Sequence, residues 1–336
     1  MKIKVTFFII LIFVTFVSFV MQEFGLIYPS YFPKPQYDFS KNPVDSFKIT
    51  LGRNLFYDPI LSADNTISCA SCHSPYNAFS HTDHTLSHGI NDQIGNRNAP
   101  ALFNLAWQKS FMWDGAINHL DMQPLAPINH HKEMGETTKD VVRKINASNF
   151  YRSLFYQAFK DSIATGERML KALAQFQLTL ISANSKYDMV KQGQDSFSTQ
   201  EQNGYALFLK NCNSCHTEPL FSNFNFANNG LGLDTTLKDF GRWMVTKNST
   251  DSLYFKTPSL RNLSFTYPYM HDGRFKKLSD VMNHYTNGIS QNKYLSKELT
   301  KPIILSSKEK IDLIAFLITL NDKHFVFESK YQYPKN

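Results

Sequence analysis

Two five-residue stretches constrain this chain more than anything else in it: Cys69-Ala70-Ser71-Cys72-His73 and Cys212-Asn213-Ser214-Cys215-His216. Together they use all four cysteines of the 336 residues. A C-x-x-C pair alone fits a zinc knuckle or a redox dithiol. Zinc sites built from two such pairs keep them roughly 15–20 residues apart, whereas most of a domain separates these. A redox dithiol usually comes as one pair, with no histidine required beside it. C-x-x-C-H is the attachment signature of c-type haem. Its thiols add across the haem vinyl groups, and the next residue turns back to ligate the iron. One helical turn separates the thiols, which puts the histidine on the face that points at the metal. Two covalent haem c groups are therefore expected, one on Cys69, Cys72 and His73, the other on Cys212, Cys215 and His216, with zinc as the competing assignment.

The chain is long enough for two domains with cores of their own. Phenylalanine, at 29 residues, is unusually common, which suits a protein that must wall off large flat cofactors. The formal charge of +7 leaves out the haem propionates, and no run of Lys and Arg accompanies it, so no nucleic-acid partner is expected.

The N-terminus reads MKIKVTFFIILIFVTFVSFVMQEF, with Lys2 and Lys4 ahead of an apolar run from Val5 to Met21. A basic start and a hydrophobic centre have the form of an export signal. The run is long for a cleaved signal, lacks an A-x-A-like site, and falls slightly short of the ~20 residues of a membrane span. Residues 1–24 are thus expected as a signal peptide or a retained N-terminal anchor. Both place the rest of the chain outside the cytoplasm, in the periplasm or cell envelope.

Residues 25–42, rich in Pro, Tyr and Ser, read as an extended linker. In VDSFKITLGRNLFYD the residues Phe47, Leu51 and Leu55 recur at helical spacing, and STQEQNGYALFLKN forms a matching segment later. Both contain G-x-x-L-F, Gly52 to Phe56 and Gly204 to Phe208, and each precedes its C-x-x-C-H. This internal repeat divides the chain into a 43–190 unit and a 191–336 unit. Met169, Leu173, Phe176 and Leu180 line one helical face as core residues. Ser306 and Glu309 form a capping box for a last helix expected to cross the one that enters the haem loop. Strand signals are sparse. The expected fold is mostly α: two cytochrome c-like domains with long loops, their haems near the domain interface.

An electron carrier fills both axial positions of each iron, whereas a haem enzyme needs one position that is open or can open, with a proton-handling group beside it. The segment RNAPALFNLAWQKSFMWDGAINHLDMQPLAPINHHKEMGET carries Trp107, Trp113, Gln123, Glu133 and a histidine pair in one loop-rich stretch. With LGRNLFYDPILSADNTISCASCH, RNAPAL, FMWDG, the Gln123/Pro127/Glu133 spacing, KTPSLRN, TYPYMHDG and the terminal AFLITL, the sequence resembles the bacterial di-haem cytochrome c peroxidases, including their relative that matures methylamine dehydrogenase. The likeness spans nearly all of the chain after the N-terminal segment.

The resemblance implies roles for particular residues. His73 would be the proximal ligand of the peroxide-reacting haem, with Glu133, Gln123 and Pro127 lining its distal pocket. Trp113 would stand between the haems and help electrons cross, and His216 would be the proximal ligand of the electron-entry haem. Asn98, with the carbonyls of Thr266 and Pro268, matches a calcium site, and oxygen-only ligation suits that hard cation. Family peroxidases carry a histidine that blocks the resting iron of the first haem. His88 is the candidate here, with His81 and His84 nearby, while other members leave that iron open. The distal position of the second haem falls on Tyr285, with Met282 or His284 as alternatives. Peroxidases have methionine at this place and the maturation relative has tyrosine; phenolate lowers the reduction potential and methionine raises it.

The expected activity is that of a cytochrome-c peroxidase, reducing hydrogen peroxide to water with electrons from a small donor protein such as a c-type cytochrome. The competing readings are an oxidase of the methylamine dehydrogenase maturation type, which Tyr285 favours, and a di-haem electron carrier without catalysis. The expected set of partners includes a second copy of the chain in a homodimer and, through the N-terminus, the membrane.

Overall fold

The computed structural model describes residues 20–23 and 25–334. Along the described chain the helices are α1 (Ser46–Tyr57), α2 (Cys69–Cys72), α3 (Leu125–Asn129), α4 (Thr138–Ala147), α5 (Asn149–Phe159), α6 (Gly166–Leu178), α7 (Lys186–Lys191), α8 (Thr199–Asn211), α9 (Trp243–Thr246), α10 (Leu278–Asn283), α11 (Ser307–Ile318) and α12 (Lys323–Phe327). Strands among the described residues are confined to two antiparallel pairs. One joins β1 (Val20–Glu23) to β2 (Leu26–Pro29), with Val20 opposite Pro29. The other joins β3 (Phe226–Ala227) to β4 (Phe255–Lys256), with Phe226 opposite Lys256. The fold is mostly helical, as the sparse strand signals require.

The long helices start where their caps stand. Asp45 accepts from the backbone N–H of Lys48 at 2.9 Å and opens α1. Ser198 with Glu201, and Ser306 with Glu309, form reciprocal capping boxes at α8 and α11, each satisfying two otherwise orphaned backbone donors.

The repeat in sequence is a repeat in packing. Helix α1 lies against α6, and α8 lies against α11. At the first crossing a Cβ on Gly52 would sit 1.8 Å from the carbonyl oxygen of Ala172; at the second, a Cβ on Gly204 would sit 2.0 Å from that of Asp312. Only glycine permits such an approach. The phenylalanine four residues on meets a phenylalanine of the partner helix in both cases. Ring centroids of Phe56 and Phe176 are 5.2 Å apart, and those of Phe208 and Phe316 are also 5.2 Å apart. The helix that Ser306 and Glu309 cap, α11, thus crosses the one leading into the second C-x-x-C-H stretch, as expected, though α12 follows it.

Two hydrophobic cores result. The first gathers Leu51, Leu55, Phe56, Phe79, Met169, Leu173 and Phe176; the second gathers Phe208, Phe221, Leu313, Phe316 and Leu317. Burying each such side chain is worth about 1.5–3 kcal/mol relative to exposure. Phe47 departs from the expected apolar face: it is 47% exposed, and the Lys160 ammonium lies 5.4 Å from its ring centre. It stands in the first turn of α1 beside Lys160 at the end of α5, although Asn42 and Asp45 just before it already bond to Lys171 and Gln175 of α6.

Two segments depart from simple division of the chain. The 25–42 stretch is not a free spacer. Tyr28 and Phe32 pack edge-on against Trp107, whose indole N–H donates to the carbonyl of Pro33 at 2.6 Å. Tyr31 reaches across to donate to Asp188 at 2.7 Å. At the other end, α12 and the turn after it return to the first core, where Phe325, Val326 and Tyr331 are buried. The expected signal or anchor falls mostly outside the described residues; among those described, no helix is long and apolar enough to cross a membrane.

Candidate haem sites

Both C-x-x-C-H stretches adopt one backbone form although their surroundings differ. The first is its own helical turn, α2, whereas the second continues from the end of α8. In each the histidine N–H donates to the carbonyl of the first cysteine at 2.9 Å. None of the four cysteines is in a disulfide. Burial pushes Cys69 up to about 12 and Cys72 up to about 11, the Glu133 charge adding to the latter. Cys212 is likewise pushed up to about 12 by burial.

Each histidine is held by its Nδ1. That of His73 donates to the carbonyl of Phe79 at 3.0 Å, and that of His216 lies 3.1 Å from the carbonyl of Pro258 and 3.3 Å from that of Phe221. Burial pushes both imidazoles down to about 4. A neutral ring with Nδ1 occupied by a carbonyl presents Nε2 as a metal ligand, the arrangement that fixes ring orientation in metal sites. These residues fit covalent haem. They do not converge on zinc, since no group of three or more His, Cys, Asp or Glu among the described residues is placed to share a metal ion.

Around His216 the walls form a large, mostly apolar cavity that includes Cys212, Cys215, Leu263, Leu313, Leu317 and Tyr285. Of the three candidates for the far side of this cavity, Met282 and Tyr285 face into it and His284 does not. The His284 ring instead meets the carbonyl of Asn229 at 3.0 Å. Tyr285 sits on a π-helical turn, His284–Gly288, that continues α10. Burial pushes its phenol up to about 12, while a hydrogen bond with Asn229 pulls the other way.

Near Cys72 the chain brings Glu133 and His88 together. The carbonyl of His88 accepts from the Cys72 thiol at 3.4 Å. The next residue, Gly89, packs on the Glu133 backbone so closely that a Cβ there would be 2.4 Å from it, and the Ile90 N–H donates to the Glu133 carbonyl at 2.8 Å. Burial raises the Glu133 carboxyl above its ordinary 4.5. The His88 ring stacks on His84 at 4.0 Å and bonds Asp92 through Nδ1 at 3.0 Å. Gln123 is buried and its amide lies 3.9 Å from the Met112 sulfur. Pro127 belongs to α3, and its carbonyl accepts from Met134 at 3.1 Å, closing the loop that carries Glu133.

Trp113, Asn98, Thr266 and Pro268 share the wall of the His216 cavity. The Trp113 indole donates to the carbonyl of Asn98 at 2.9 Å, and the Asn98 N–H donates to the carbonyl of His271 at 2.7 Å. The Asn98 amide also donates to the carbonyl of Thr85 at 3.0 Å. Arg97 secures this junction through a fork on Asp239 (2.6 and 2.8 Å) and a bond to Asp114 (2.6 Å).

Residues 46–196 match the family model described as di-haem cytochrome c peroxidase. The methylamine utilization protein MauG of Methylophilus methylotrophus is 36% identical over 287 residues, covering 83% of this chain and 84% of that one. The chain belongs to the di-haem cytochrome c peroxidase family. Another member, the cytochrome c551 peroxidase of Nitrosomonas europaea, is 33% identical, covering 88% of this chain and 86% of its own. Among solved structures, a MauG-like protein associated with microbial copper homeostasis superposes with a TM-score of 0.83 at 30% identity, covering 91% of this chain and 98% of that one. Membership makes the chain an oxidoreductase of the peroxidase and MauG type and implies two haem c groups.

Sequence reasoning passed over two kinds of residue here. The carbonyls of Phe79, Phe221 and Pro258 that orient the histidines carry no side-chain signature. Lys256, a cavity-wall residue, lies inside KTPSLRN, a motif quoted for its likeness alone.

Proposed function

We propose that this family member is a di-haem peroxidase that reduces hydrogen peroxide to water with electrons from a small donor such as a c-type cytochrome. The observation that carries this reading is Glu133, a carboxyl raised by burial and held beside the first attachment turn, where the Ile90 N–H donates to its carbonyl at 2.8 Å and the carbonyl of neighbouring His88 lies 3.4 Å from the Cys72 sulfur. A pure electron carrier has no use for such a group.

Cys69, Cys72 and His73 hold the first haem, and Cys212, Cys215 and His216 hold the second. The bound haem irons supply the redox chemistry; the protein positions the acid–base group and the electron path. Glu133 takes the proton from the near oxygen of peroxide and returns it to the far oxygen, so that water leaves. Assistance of this kind is worth roughly 10²–10⁴-fold. Gln123 and Pro127 wall the same pocket, and His88 is its gating histidine. Trp113, fixed through its indole N–H, bridges the two haem sites. Asn98, Thr266 and Pro268 supply oxygen ligands for a calcium ion at the junction. The haem units are 43–190 and 191–336, with α12 lent back to the first. The basic, apolar N-terminus supports export to the periplasm or cell envelope.

A second reading, an oxidase of the maturation type acting on another substrate, is favoured by Tyr285. Electron paramagnetic resonance of the ferric protein, followed by peroxide consumption with a reduced c-type cytochrome, decides between them. Mixed high-spin and low-spin iron with steady turnover is expected. Two permanently low-spin irons would overturn both enzyme readings, and high-spin iron without turnover from such a donor would favour the oxidase.

A further inference from the structure

Among the described residues no carboxylate pairs with the half-buried Lys256 ammonium, which lies 5.7 Å from the centre of the Phe111 ring. Lys256 ends β4, where its backbone N–H donates to the carbonyl of Trp113 at 2.7 Å. Its Nζ reaches two neutral acceptors of the first half of the chain, Gln108 Oε1 at 2.6 Å and the carbonyl of Ser110 at 2.8 Å. An ammonium has three donors, so one is left over. The carboxylate whose charge acts on it, Asp114, is already bonded to Arg97 at 2.6 Å. Burial pushes Lys256 down to about 7, with the Asp114 charge pulling the other way.

A brace between two segments needs donors but no charge, and an unpaired charge is costly to bury. An anion within reach of the remaining donor would remove that cost. Lys256 lines the same cavity as Cys212, Cys215, His216 and Tyr285. A haem joined to those cysteines by its vinyl edge carries two propionate carboxylates on the opposite edge.

We propose that Lys256, braced by Gln108 and Ser110, binds a propionate of the haem attached to Cys212 and Cys215 and thereby holds up the reduction potential of its iron. This rests on the assignment of that motif as a haem site. A fixed positive charge favours the ferrous state, so Lys256 works against the lowering expected of a phenolate ligand. Lys256 also stands beside Trp113, to whose carbonyl its backbone N–H donates, where the two halves of the chain meet.

The test uses the haem-loaded protein. Pyridine haemochrome counts the haems in wild type, Lys256→Met and Lys256→Arg, and spectroelectrochemical titration follows each iron. In Lys256→Met the reduced-to-oxidised ratio of the second haem at a fixed potential should fall about tenfold, or about 59 mV for one electron. Lys256→Arg should stay within about twofold of wild type, and the first haem should move less than the second. A Lys256→Met protein within twofold of wild type, or a shift confined to the first haem, overturns the proposal. If Lys256→Met loads no second haem, Lys256→Gln, which keeps donors without charge, is read by the same criteria. Wild type carrying haem on the first motif alone would instead overturn the assignment beneath it.

Discussion

Gly204 lies against the main chain of Asp312, 2.0 Å separating the place of its missing Cβ from the carbonyl oxygen, and Gly52 stands in the same relation to Ala172 at 1.8 Å. Alanine in a helix interior is ordinarily more stable than glycine by about 1 kcal/mol. Here the added methyl forces the crossing apart, at about 1–3 kcal/mol for overpacking. Gly52→Ala and Gly204→Ala should each lower the unfolding temperature in calorimetry. An increase in either would refute the assigned helix contact.

Asp188 and Arg261 form a two-pronged pair at 2.8 Å with both side chains 0% exposed, and Tyr31 and Ser185 add hydrogen bonds to the carboxylate. Asp188→Asn strands the guanidinium and should cost about 3–5 kcal/mol in denaturant unfolding. Burial alone would raise the Asp188 carboxyl, but the Arg261 charge and the hydrogen bonds outweigh it and hold it below 3.8. A carboxyl depressed in the native state stabilises above its unfolded value and loses that contribution as pH falls through the native one. Acid should therefore destabilise wild type more steeply than Asp188→Asn.

Glu133→Gln should keep both haems yet lose about 10²–10⁴-fold in peroxide turnover. Glu133 must be ionised to take a proton, and burial raises its carboxyl. Turnover should thus climb with pH through an inflection above the ordinary glutamate value of 4.5, and the glutamine variant should lack that limb. Rate measurements across acidic pH check both outcomes.

For the second haem, Tyr285→Phe should open a coordination position and turn a low-spin ferric signal high-spin, while Tyr285→Met should keep it low-spin and raise the potential. Resonance and spectroelectrochemical measurements report these directly. An unchanged signal in the phenylalanine variant would pass the ligand role to Met282, which faces the same cavity.

The two C-x-x-C-H motifs stand out in the sequence because haem attachment demands a fixed order of side chains, and the helix starts were legible because Ser198, Ser306 and their glutamates are neighbours along the chain. The pairing of Gly52 with Ala172 and of Gly204 with Asp312 was not, since G-x-x-L-F marks one surface of a contact and says nothing of the other. Phe47 misled because helical spacing gives a face without saying which of its positions the neighbouring side chains cover. Tyr31 read as part of an extended linker for want of local periodicity, yet its hydroxyl finds Asp188 across 157 positions. Of the candidates near Tyr285 only His284 is set apart, and by orientation that spacing does not carry: its ring meets the carbonyl of Asn229, while Tyr285 and Met282 both line the cavity.

The return of Phe325, Val326 and Tyr331 to the opening core has a consequence for biogenesis. Those three side chains follow the whole of the later core in chain order, so the opening core keeps a gap in its interior until the polypeptide through Tyr331 has emerged. The later unit, whose aromatic centre is assembled from residues 187–320, can close before it. A chain truncated after α11 should consequently fail at its beginning rather than at its end.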